Sequence, residues 1–375
     1  MRVIVNGWFL SRTDTGSGQY LHALLRHMPA QAADLDLHVI VPQPSPPPPG
    51  WQLHVRAARS KPLAKLRFEQ LEIPRAARQL QADVVHIPYW APPLRSPTPL
   101  VVTVHDIIPL LLPEHRGSLP KRCYTALAAA GTRGATQVIA DSHSSRCDIL
   151  SRLHLPADRV HTVHLAAEAQ FTPPVGTQPI SSLQAKYGLP EAYVLYLGGF
   201  QRRKNVHHLL TAWTWAHSAM PDGCQLVIAG HLPVRPDKRL YQDLPALTSQ
   251  QGTAESVRFI GAVTESDKPA LYQGASCFVF PSSYEGFGLP PLEAMACGVP
   301  VVTTGAASLP EVVGDAAYLV SDPSDTRKLG AAIISTIVDT ELASELRARG
   351  LKQAARFSWG QTARETLRIY QRAAN

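Results

Sequence analysis

The chain has 375 residues, of which 45% are hydrophobic and 17% charged, and its formal net charge is +7. This composition is that of a globular protein, and the length predicts two domains because a single hydrophobic core rarely grows so large. No run approaches the ~20 apolar residues that a membrane-spanning helix needs. The opening run, Met1–Asn6, lacks a long apolar core and is predicted to be a first strand, not a signal peptide.

The five cysteines form an odd and scattered set, which predicts neither a disulfide framework nor a zinc site and fits a reducing cytoplasm. They are Cys123, Cys147, Cys224, Cys277 and Cys297.

The charge is uneven along the chain. Up to Phe171 there are 18 Lys and Arg against 12 Asp and Glu, whereas the remainder holds 18 against 17. This asymmetry favours an acidic partner for the first half, either the anionic surface of a membrane or a charged acceptor, and a solvated surface without a partner stays open. Nucleic acid is not expected, because the basic residues are dispersed and no recognisable binding module is present.

Apolar strand-like runs alternate with helical patterns, which is typical of parallel sheets covered on both faces. We therefore predict an α/β protein of two doubly wound domains, divided near the proline–glycine interruption Phe171–Gly176 into residues 1–172 and 173–358. The predicted strands are Arg2–Val5, Leu37–Val41, Asp83–Ile87, Val101–His105, Gln137–Ala140 and Val160–His164, then Val194–Leu197, Gln225–Ala229, Val257–Ile260, Cys277–Phe280, Val299–Thr303 and Ala317–Val320.

Two features of the first half are candidates for ligand contact. Gly16 and Gly18 are predicted at a strand-to-helix connection, where a ligand or a facing loop can come close, although a plain turn explains them equally well. The full G-x-G-x-x-G of a dinucleotide site is absent. His105 and Asp106 follow a buried strand, at the end that forms the ligand crevice of open α/β sheets, and a structural histidine is the alternative for His105. His86, Tyr89 and Trp90, at the end of the preceding strand, are further candidate contacts for an acceptor.

A basic turn opens the second half. Gly198 and Gly199 follow a buried strand and lead into Gln201–Asn205, which contains Arg203 and Lys204. An arginine fork and a compact lysine charge at such a place predict contact with phosphate, and a solvated basic turn is the alternative.

The most informative stretch is Tyr284–Pro300, which predicts a glycine loop and a helix between two strands. The N–H groups of Gly288 and Leu289 at the helix start form a candidate phosphate site. Glu285 and Glu293 bracket the loop, and since phosphate repels a carboxylate, sugar hydroxyls are the expected partners. An ordinary helix cap is the alternative reading.

The run Glu285–Glu293, with its flanks Pro-Ser-Ser-Tyr and Ala-Met-Ala-Cys-Gly-Val-Pro, resembles the Glu-x7-Glu motif of the retaining glycosyltransferases of family 4. The resemblance implies the GT-B fold, with two Rossmann-like domains facing a central cleft, the donor mainly on residues 173–358 and the acceptor on residues 1–172. It also implies that residues 359–375 form a helix that crosses back to the first domain.

The resemblance assigns roles to individual positions. His105-Asp106-x-x-Pro resembles a segment of family members that build bacterial polysaccharides, many of them mannosyltransferases, and implies catalytic roles for His105 and Asp106 beside the sugar or acceptor. Glu285 is implied to contact the donor sugar. The donor nucleotide and its diphosphate are implied to bind Gly16, Gly18, Arg203, Lys204, Val263, Gly286, Phe287, Gly288, Leu289 and Glu293.

The implied activity is retaining transfer of a hexose, with GDP-mannose as the expected donor and a glycan or lipid-linked acceptor in bacterial surface polysaccharide synthesis. No cofactor is expected, and no metal, because residues 173–358, where the donor is expected to bind, contain no Asp-x-Asp motif. The implied location is the cytoplasm, with peripheral contact at the inner face of the membrane. A nucleotide-sugar epimerase and a non-catalytic sugar-nucleotide-binding subunit are the alternatives.

Overall fold

The computed structural model describes residues 1–31, 34–57, 63–174, 178–234 and 237–375. The chain forms two compact units: Met1–Leu165 with Ser358–Asn375, and Ala166–Phe357. Val175 and Gly176 of the predicted proline–glycine boundary lie outside the described residues. Among the described helices, none combines the length and the apolar character that crossing a bilayer requires.

In the described part of the first unit, seven parallel strands form one sheet in the order β3-β2-β1-β4-β5-β6-β7. The Val- and Ile-rich runs that predicted strands lie buried in the middle of the sheet, as parallel strands covered on both faces require. The strands are β1 (Arg2–Asn6), β2 (Asp36–Val41), β3 (Gln52–Val55), β4 (Val84–Ile87), β5 (Leu100–Val104), β6 (Gln137–Ala140) and β7 (Val160–Thr162).

Helices cover both faces of this sheet. Short 3-10 helices occur at Pro29–Gln31, Pro113–His115 and Ala157–Arg159, and a π-helical segment, Phe68–Glu72, joins the second α-helix to the third. The α-helices are α1 (Gly16–His27), α2 (Ala64–Arg67), α3 (Ile73–Gln79), α4 (Ile108–Leu111), α5 (Leu119–Arg133) and α6 (His143–Leu153).

The second unit repeats the plan with six parallel strands among its described residues, in the order β10-β9-β8-β11-β12-β13. Two 3-10 helices, Arg202–Lys204 and His217–Ala219, flank the α-helix Val206–Ala216. The strands are β8 (Tyr193–Leu197), β9 (Gln225–Ala229), β10 (Val257–Gly261), β11 (Cys277–Phe280), β12 (Val301–Thr304) and β13 (Tyr318–Val320). The helices are α7 (Gln178–Tyr187), α8 (Val206–Ala216), α9 (Leu244–Gln250), α10 (Lys268–Gln273), α11 (Leu289–Ala296), α12 (Leu309–Val313), α13 (Thr326–Val338) and α14 (Thr340–Ala354).

All twelve predicted strands are present, and no predicted end differs from the observed end by more than two residues. Strand β3 was not predicted. Its sequence, Gln-Leu-His-Val, has no continuous apolar run, because it lies at the sheet edge and none of its side chains is fully buried. This strand is defined by its pairing with β2, and pairing with a single neighbour has little effect on which residue types a strand contains.

The last helix, α15 (Trp359–Ala374), belongs to the first unit. Its Tyr370 hydroxyl lies 2.8 Å from Nδ1 of His86, whose Nε2 lies 2.8 Å from Oγ1 of Thr103. His86 has no exposed surface, and burial lowers its pKa to about 3, so the ring is neutral. The interpretation of His86 as an acceptor contact is therefore wrong for this structure, since both ring nitrogens are engaged in the core, one by Tyr370 of α15 and the other by Thr103 of β5.

The strand order reverses once in each sheet. Strand β1 pairs with both β2 and β4, and β8 pairs with both β9 and β11, so the chain turns outward in opposite directions from these central pairs. At such a topological switch point the connections leave on opposite faces and open a crevice at the carboxyl ends of the strands. The two crevices, one in each unit, are the places where ligands are expected.

Gly16 and Gly18 lie in the first turn of α1 and not in the loop that the sequence predicted. Thr15 caps this helix, accepting a hydrogen bond from the N–H of Gly18. A Cβ atom at residue 18 would lie 1.8 Å from the carbonyl oxygen of Arg12, whereas a Cβ atom at residue 16 would meet nothing within 4 Å. The close approach that Gly18 permits is thus that of the chain's own loop.

These two glycines make a matched pair for a stability test. We expect Gly18→Ala to destabilise the first unit by about 1–3 kcal/mol, because the methyl group overlaps backbone that must move. Gly16→Ala should be neutral or stabilising by up to about 1 kcal/mol, since alanine suits a helix better than glycine. Urea unfolding monitored by circular dichroism measures both, and equal effects of the two substitutions would contradict the structural role of Gly18.

Candidate active site

Arg203 and Lys204 lie at the crevice of the second unit. Strand β8 ends at Leu197, the two glycines follow, and a single 3-10 turn, Arg202–Lys204, carries both cations. Asn205 then adopts a left-handed conformation, with φ at 53°, and starts α8. The tight turn keeps both basic side chains at the carboxyl end of the central strand.

The loop that follows the neighbouring strand, β11, is bonded directly to this basic turn. The Asn205 side-chain amide donates to the Pro281 carbonyl at 3.0 Å, and the Ser283 N–H donates to the Arg203 carbonyl at 2.7 Å. The Ser283 hydroxyl donates to the same carbonyl at 2.9 Å. The two loops at the switch point therefore form one structural element, which fixes the positions of the charged side chains that they carry.

These loops bring together three charged residues that the sequence analysis placed at the donor. Lys204 Nζ lies 2.5 Å from Oε1 of Glu285, and Arg203 Nη1 lies 3.3 Å from the same oxygen. Arg203 Nη1 also donates to the Tyr284 carbonyl at 2.7 Å, and Lys204 Nζ lies 4.9 Å from the ring centroid of Phe280. The side chains of the three charged residues are only 12–13% exposed.

The cluster carries two cations and one anion. Burial raises the pKa of Glu285, but Lys204 and Arg203 outweigh it and hold that pKa below its usual value. Glu285 is therefore ionised and accepts hydrogen bonds without donating any. The remaining positive charge of the cluster is available to attract an anionic ligand such as a diphosphate.

The predicted order of strand, glycine loop, helix and strand is confirmed between β11 and β12. Phe287 is 4% exposed and packs edge-on against Phe357, with ring centroids 5.8 Å apart. The Ser308 hydroxyl lies within hydrogen-bond distance of the carbonyls of Glu285 and Phe287. These contacts leave little freedom to the loop in which Gly286 lies.

Gly288 caps α11 with φ at 126°, a region that side chains rarely adopt, and a Cβ atom there would lie 3.0 Å from Leu309. Helix α11 begins at Leu289, and the prolines that follow have no N–H. The N–H groups nearest the helix start are thus those of Gly288 and Leu289, in the place that the sequence analysis assigned to phosphate.

Glu293 lies in the second turn of α11, because the helix begins at Leu289. The hydroxyl of Tyr272 donates to its Oε2 at 2.9 Å, and the residue is 7% exposed. Burial raises the pKa of Glu293, and the opposing effects of Lys268 and Tyr272 do not cancel this. Its predicted contact with a ribose stays a prediction.

Val263 follows β10, where the pairing register shifts between Phe259 and Gly261. It is half-buried. The segment continues to the ion pair of Glu265 and Lys268, 2.6 Å apart, and both of these charges act on Glu293. Val263 lies two residues before Glu265, and its predicted contact with the donor nucleotide stays a prediction.

In the first unit, His105 follows β5 and pairs with a carboxylate that the sequence analysis did not single out. Its Nδ1 lies 2.7 Å from Oδ2 of Asp141, which directly follows β6. Burial lowers the pKa of His105, but Asp141 outweighs it, so that pKa lies above its usual value. Asp106 instead accepts a hydrogen bond from the N–H of Ile108 at 3.0 Å and shapes the loop.

Asp141 could have been identified from the sequence, because it is a polar residue that directly follows a predicted strand. Strands β5 and β6 are neighbours, and a polar residue that ends one parallel strand meets its counterpart on the next. Tyr20 of α1 packs edge-on against His105, with centroids 4.9 Å apart. Within a single unit, the described residues bring no three His, Cys, Asp or Glu side chains close enough to share a metal ion.

The ion cluster of the second unit yields a stability prediction. Because the pKa of Glu285 is depressed, its charged form stabilises the fold above the unfolded value of about 4.5, and this contribution is lost as the pH falls through the folded value. Lys204→Ala should lower the free energy of unfolding by about 1.5–3 kcal/mol at pH 7, and by less near pH 3.

Lys328→Ala is the matched control, since Lys328 is 68% exposed and its pair with Asp325 spans 3.6 Å. Exposed pairs contribute little, so we expect a change below about 1 kcal/mol at either pH. Urea unfolding at both pH values compares the two variants. Equal losses would show that the Lys204–Glu285 pair behaves as a surface pair.

Comparisons with known proteins agree with this geometry. Residues 15–170 match the family model "Glycosyltransferase Family 4" and residues 181–353 match "Glycosyl transferases group 1". The chain is 36% identical over 297 residues to the O-antigen chain mannosyltransferase B of Escherichia coli, which covers 79% of this chain and 76% of that protein. It is 33% identical over 272 residues to the serotype-specific mannosyltransferase WbdA of Escherichia coli, covering 71% of this chain but only 32% of that protein.

Solved structures share the fold across nearly the whole chain. The sucrose-phosphate synthase of Thermosynechococcus elongatus superposes with a TM-score of 0.74 at 21% identity, covering 99% of this chain and 98% of that one. WaaG, a glycosyltransferase involved in lipopolysaccharide biosynthesis, gives 0.73 at 14% identity, with 98% and 99% covered. The predicted architecture and enzyme class are thereby confirmed: the chain is a hexosyltransferase of glycosyltransferase family 4, with the GT-B fold.

Proposed function

We propose that this chain is a retaining mannosyltransferase that transfers mannose from GDP-mannose to a growing glycan of a bacterial surface polysaccharide. The observation that carries the proposal is the buried cluster of Arg203, Lys204 and Glu285 at the switch point of the second unit. The choice of mannose is supported by the similarity to O-antigen chain mannosyltransferase B over 79% of the chain.

The cluster suggests how the donor is bound. A diphosphate that approaches Arg203 and Lys204 competes with Glu285 for the same two cations, because the carboxylate occupies their donor atoms. Once the phosphate oxygens take these contacts, Glu285 is free to accept hydrogen bonds from hydroxyls of the sugar. The N–H groups of Gly288 and Leu289 add to the phosphate site.

The chemistry needs no carboxylate nucleophile. Arg203 and Lys204 stabilise the negative charge that develops on the departing diphosphate. Glu285 contacts the outer hydroxyls of the sugar in this scheme and Glu293 the ribose, so neither lies behind the anomeric carbon. The departing phosphate oxygen accepts the proton of the incoming hydroxyl on the same face, and the product keeps the donor's configuration.

His105 supports the reacting sugar or the acceptor. Nδ1 is engaged by Asp141, which fixes the ring, and Nε2 is buried, with the Pro88 carbonyl among the groups that favour the protonated ring. The raised pKa makes this nitrogen a donor over a wider pH range than an isolated histidine provides. Asp106 acts through the shape of the loop that follows.

We further propose that the first unit contacts an anionic membrane surface from the cytoplasmic side. Leu119, at the start of α5, is 70% exposed, and Arg116, Lys121 and Arg122 are exposed around it. An exposed apolar side chain among basic ones suits the boundary between lipid headgroups and acyl chains. The five free cysteines fit the reducing compartment in which nucleotide sugars would be used.

The central test is the stereochemistry and metal dependence of transfer. With GDP-α-mannose and a mannose-terminated oligosaccharide, NMR should show an α-linked product, and EDTA should leave the rate unchanged because the two cations supply the positive charge. Transfer to water alone, epimerised donor or an inverted product would contradict the proposal.

Glu285→Gln separates sugar positioning from phosphate binding. We expect kcat to fall at least tenfold, which corresponds to about 1.4 kcal/mol. GDP should bind at least as tightly as in the wild type, because the neutral amide no longer competes for Lys204 and Arg203. Isothermal titration calorimetry measures the affinity, with Lys328→Ala as the control, and weakened GDP binding would refute the competition.

The membrane contact has its own test. At low salt the chain should sediment with vesicles that contain phosphatidylglycerol and not with pure phosphatidylcholine, and salt should release it. Arg122→Glu should weaken this association, whereas Arg327→Glu, at an exposed position of the second unit, should not. Indifference to lipid charge would leave a charged acceptor as the better account of the basic first half.

A further inference from the structure

The crevice of the first unit contains a second charged cluster, which the reaction described above does not use. Lys65 Nζ lies 3.5 Å from Oε1 of Glu69, and the Glu69 side chain has no exposed surface. The same ammonium group lies 5.2 Å from the ring centroid of Phe9, 5.0 Å from that of Tyr89 and 5.3 Å from that of Tyr124. Three aromatic rings thus surround one cation, which is 36% exposed.

Hydrogen bonds fix the polar groups of this cluster. The Tyr124 hydroxyl lies 2.9 Å from each oxygen of Glu69, and the Asn6 side-chain amide donates to the Tyr89 hydroxyl at 2.9 Å. Asn6 also accepts from the N–H of Trp8 at 2.9 Å. The side chains are therefore held in place before any ligand arrives, as a preformed binding site requires.

The local backbone departs from regular helix at this cluster. Glu69 lies in the π-helical segment Phe68–Glu72, which separates α2 from α3. Single turns of π-helix are rare and occur frequently at functional sites, because the extra residue redirects the side chains of one turn. Phe68 of the same segment packs against Trp8, with ring centroids 5.3 Å apart.

The cluster lies at the switch point of its sheet. Asn6 ends β1, Trp8 and Phe9 follow it, and Tyr89 follows β4, the strand that pairs with β1 on the far side from β2. This is the counterpart, in the first unit, of the place where Arg203 and Glu285 lie in the second. Ligands of open α/β sheets bind at this point.

Stability alone gives a poor reason for the pair. Desolvation of the buried carboxylate and of the partly exposed ammonium group offsets most of their attraction, and an apolar replacement is often as stable. Burial raises the pKa of Glu69 and lowers that of Lys65, so the surroundings disfavour both charges. Groups perturbed in this way inside a crevice are candidates for a functional role.

We propose that Lys65 and the half-buried rings of Phe9 and Tyr124, held in place by the buried Glu69 and Tyr89, form a subsite for a sugar ring of the glycan acceptor. Aromatic rings pack against the C–H groups of a sugar, and an ammonium group donates hydrogen bonds to its hydroxyls. The inference rests on the proposed function, because it assigns the acceptor of the same reaction.

The first test separates acceptor binding from donor binding. Lys65→Met keeps most of the side-chain volume and removes the ammonium group. We expect the KM for a mannose-terminated oligosaccharide to rise at least tenfold, with the KM for GDP-mannose and kcat within about twofold of the wild type. Arg75→Ala is the matched control, since Arg75 lies on α3, is 60% exposed and pairs with Glu72 at 3.0 Å; it should change none of the three values.

A second test needs no catalysis. Calorimetric titration of the chain with the oligosaccharide, without donor, should give binding that Lys65→Met weakens at least tenfold and Arg75→Ala leaves intact. Tyr124→Phe keeps the ring, removes the hydroxyl that bonds Glu69, and decides the matter if Lys65→Met does not fold. Unchanged oligosaccharide affinity in a folded Lys65→Met or Tyr124→Phe chain would overturn the subsite. A different result would separate the two proposals. If Lys65→Met weakens oligosaccharide binding but the wild-type chain transfers no mannose, the proposed function is wrong and the subsite is still supported.

Discussion

The reversal of strand order is the constraint on which both candidate sites depend. A parallel sheet built outward from one central pair must send its connections to opposite faces, and the crevice between them lies at the carboxyl ends of the strands. In the second unit this crevice holds Arg203, Lys204 and Glu285, and in the first it holds Lys65, Glu69 and three aromatic rings. The topology therefore determines where the two charged clusters lie, one in each unit.

The two crevices treat a buried glutamate in opposite ways. Glu285 faces two cations, and their combined attraction outweighs the cost of burial, so its pKa lies below the usual value. Glu69 faces a single lysine whose own charge is disfavoured by burial, and its pKa is raised. A carboxylate whose charged form is favoured can exchange one set of ionic partners for another, whereas burial disfavours the charged form of Glu69.

Much of the fold could be predicted from the sequence, because buried parallel strands are continuous apolar runs bounded by glycine and proline. The glycine loop and helix after β11 were also predictable, because glycine favours a cap with positive φ and proline favours the first turn of a helix. Strand β3 could not be predicted, because an edge strand with half-exposed side chains has no such run.

The side-chain partners were harder to predict than the elements. The pairing of His105 with Asp141 depends on which strands are neighbours, and that order appears only in the folded sheet. Lys65 and Glu69, four residues apart, look in the sequence like an ordinary exposed pair on a helix. Their burial comes from Tyr124 and Tyr89, which are distant in the sequence and reach them only through the fold.

The position of α15 has a consequence for how the chain acquires its structure. Tyr370 bonds His86 across 284 residues, and all of Ala166–Phe357 is synthesised between the two parts of the first unit. During translation, the first unit therefore lacks its last helix until the whole of the second unit has been synthesised. Contacts so distant in sequence form slowly, and the face that α15 covers stays exposed to solvent and to other chains until α15 has been synthesised.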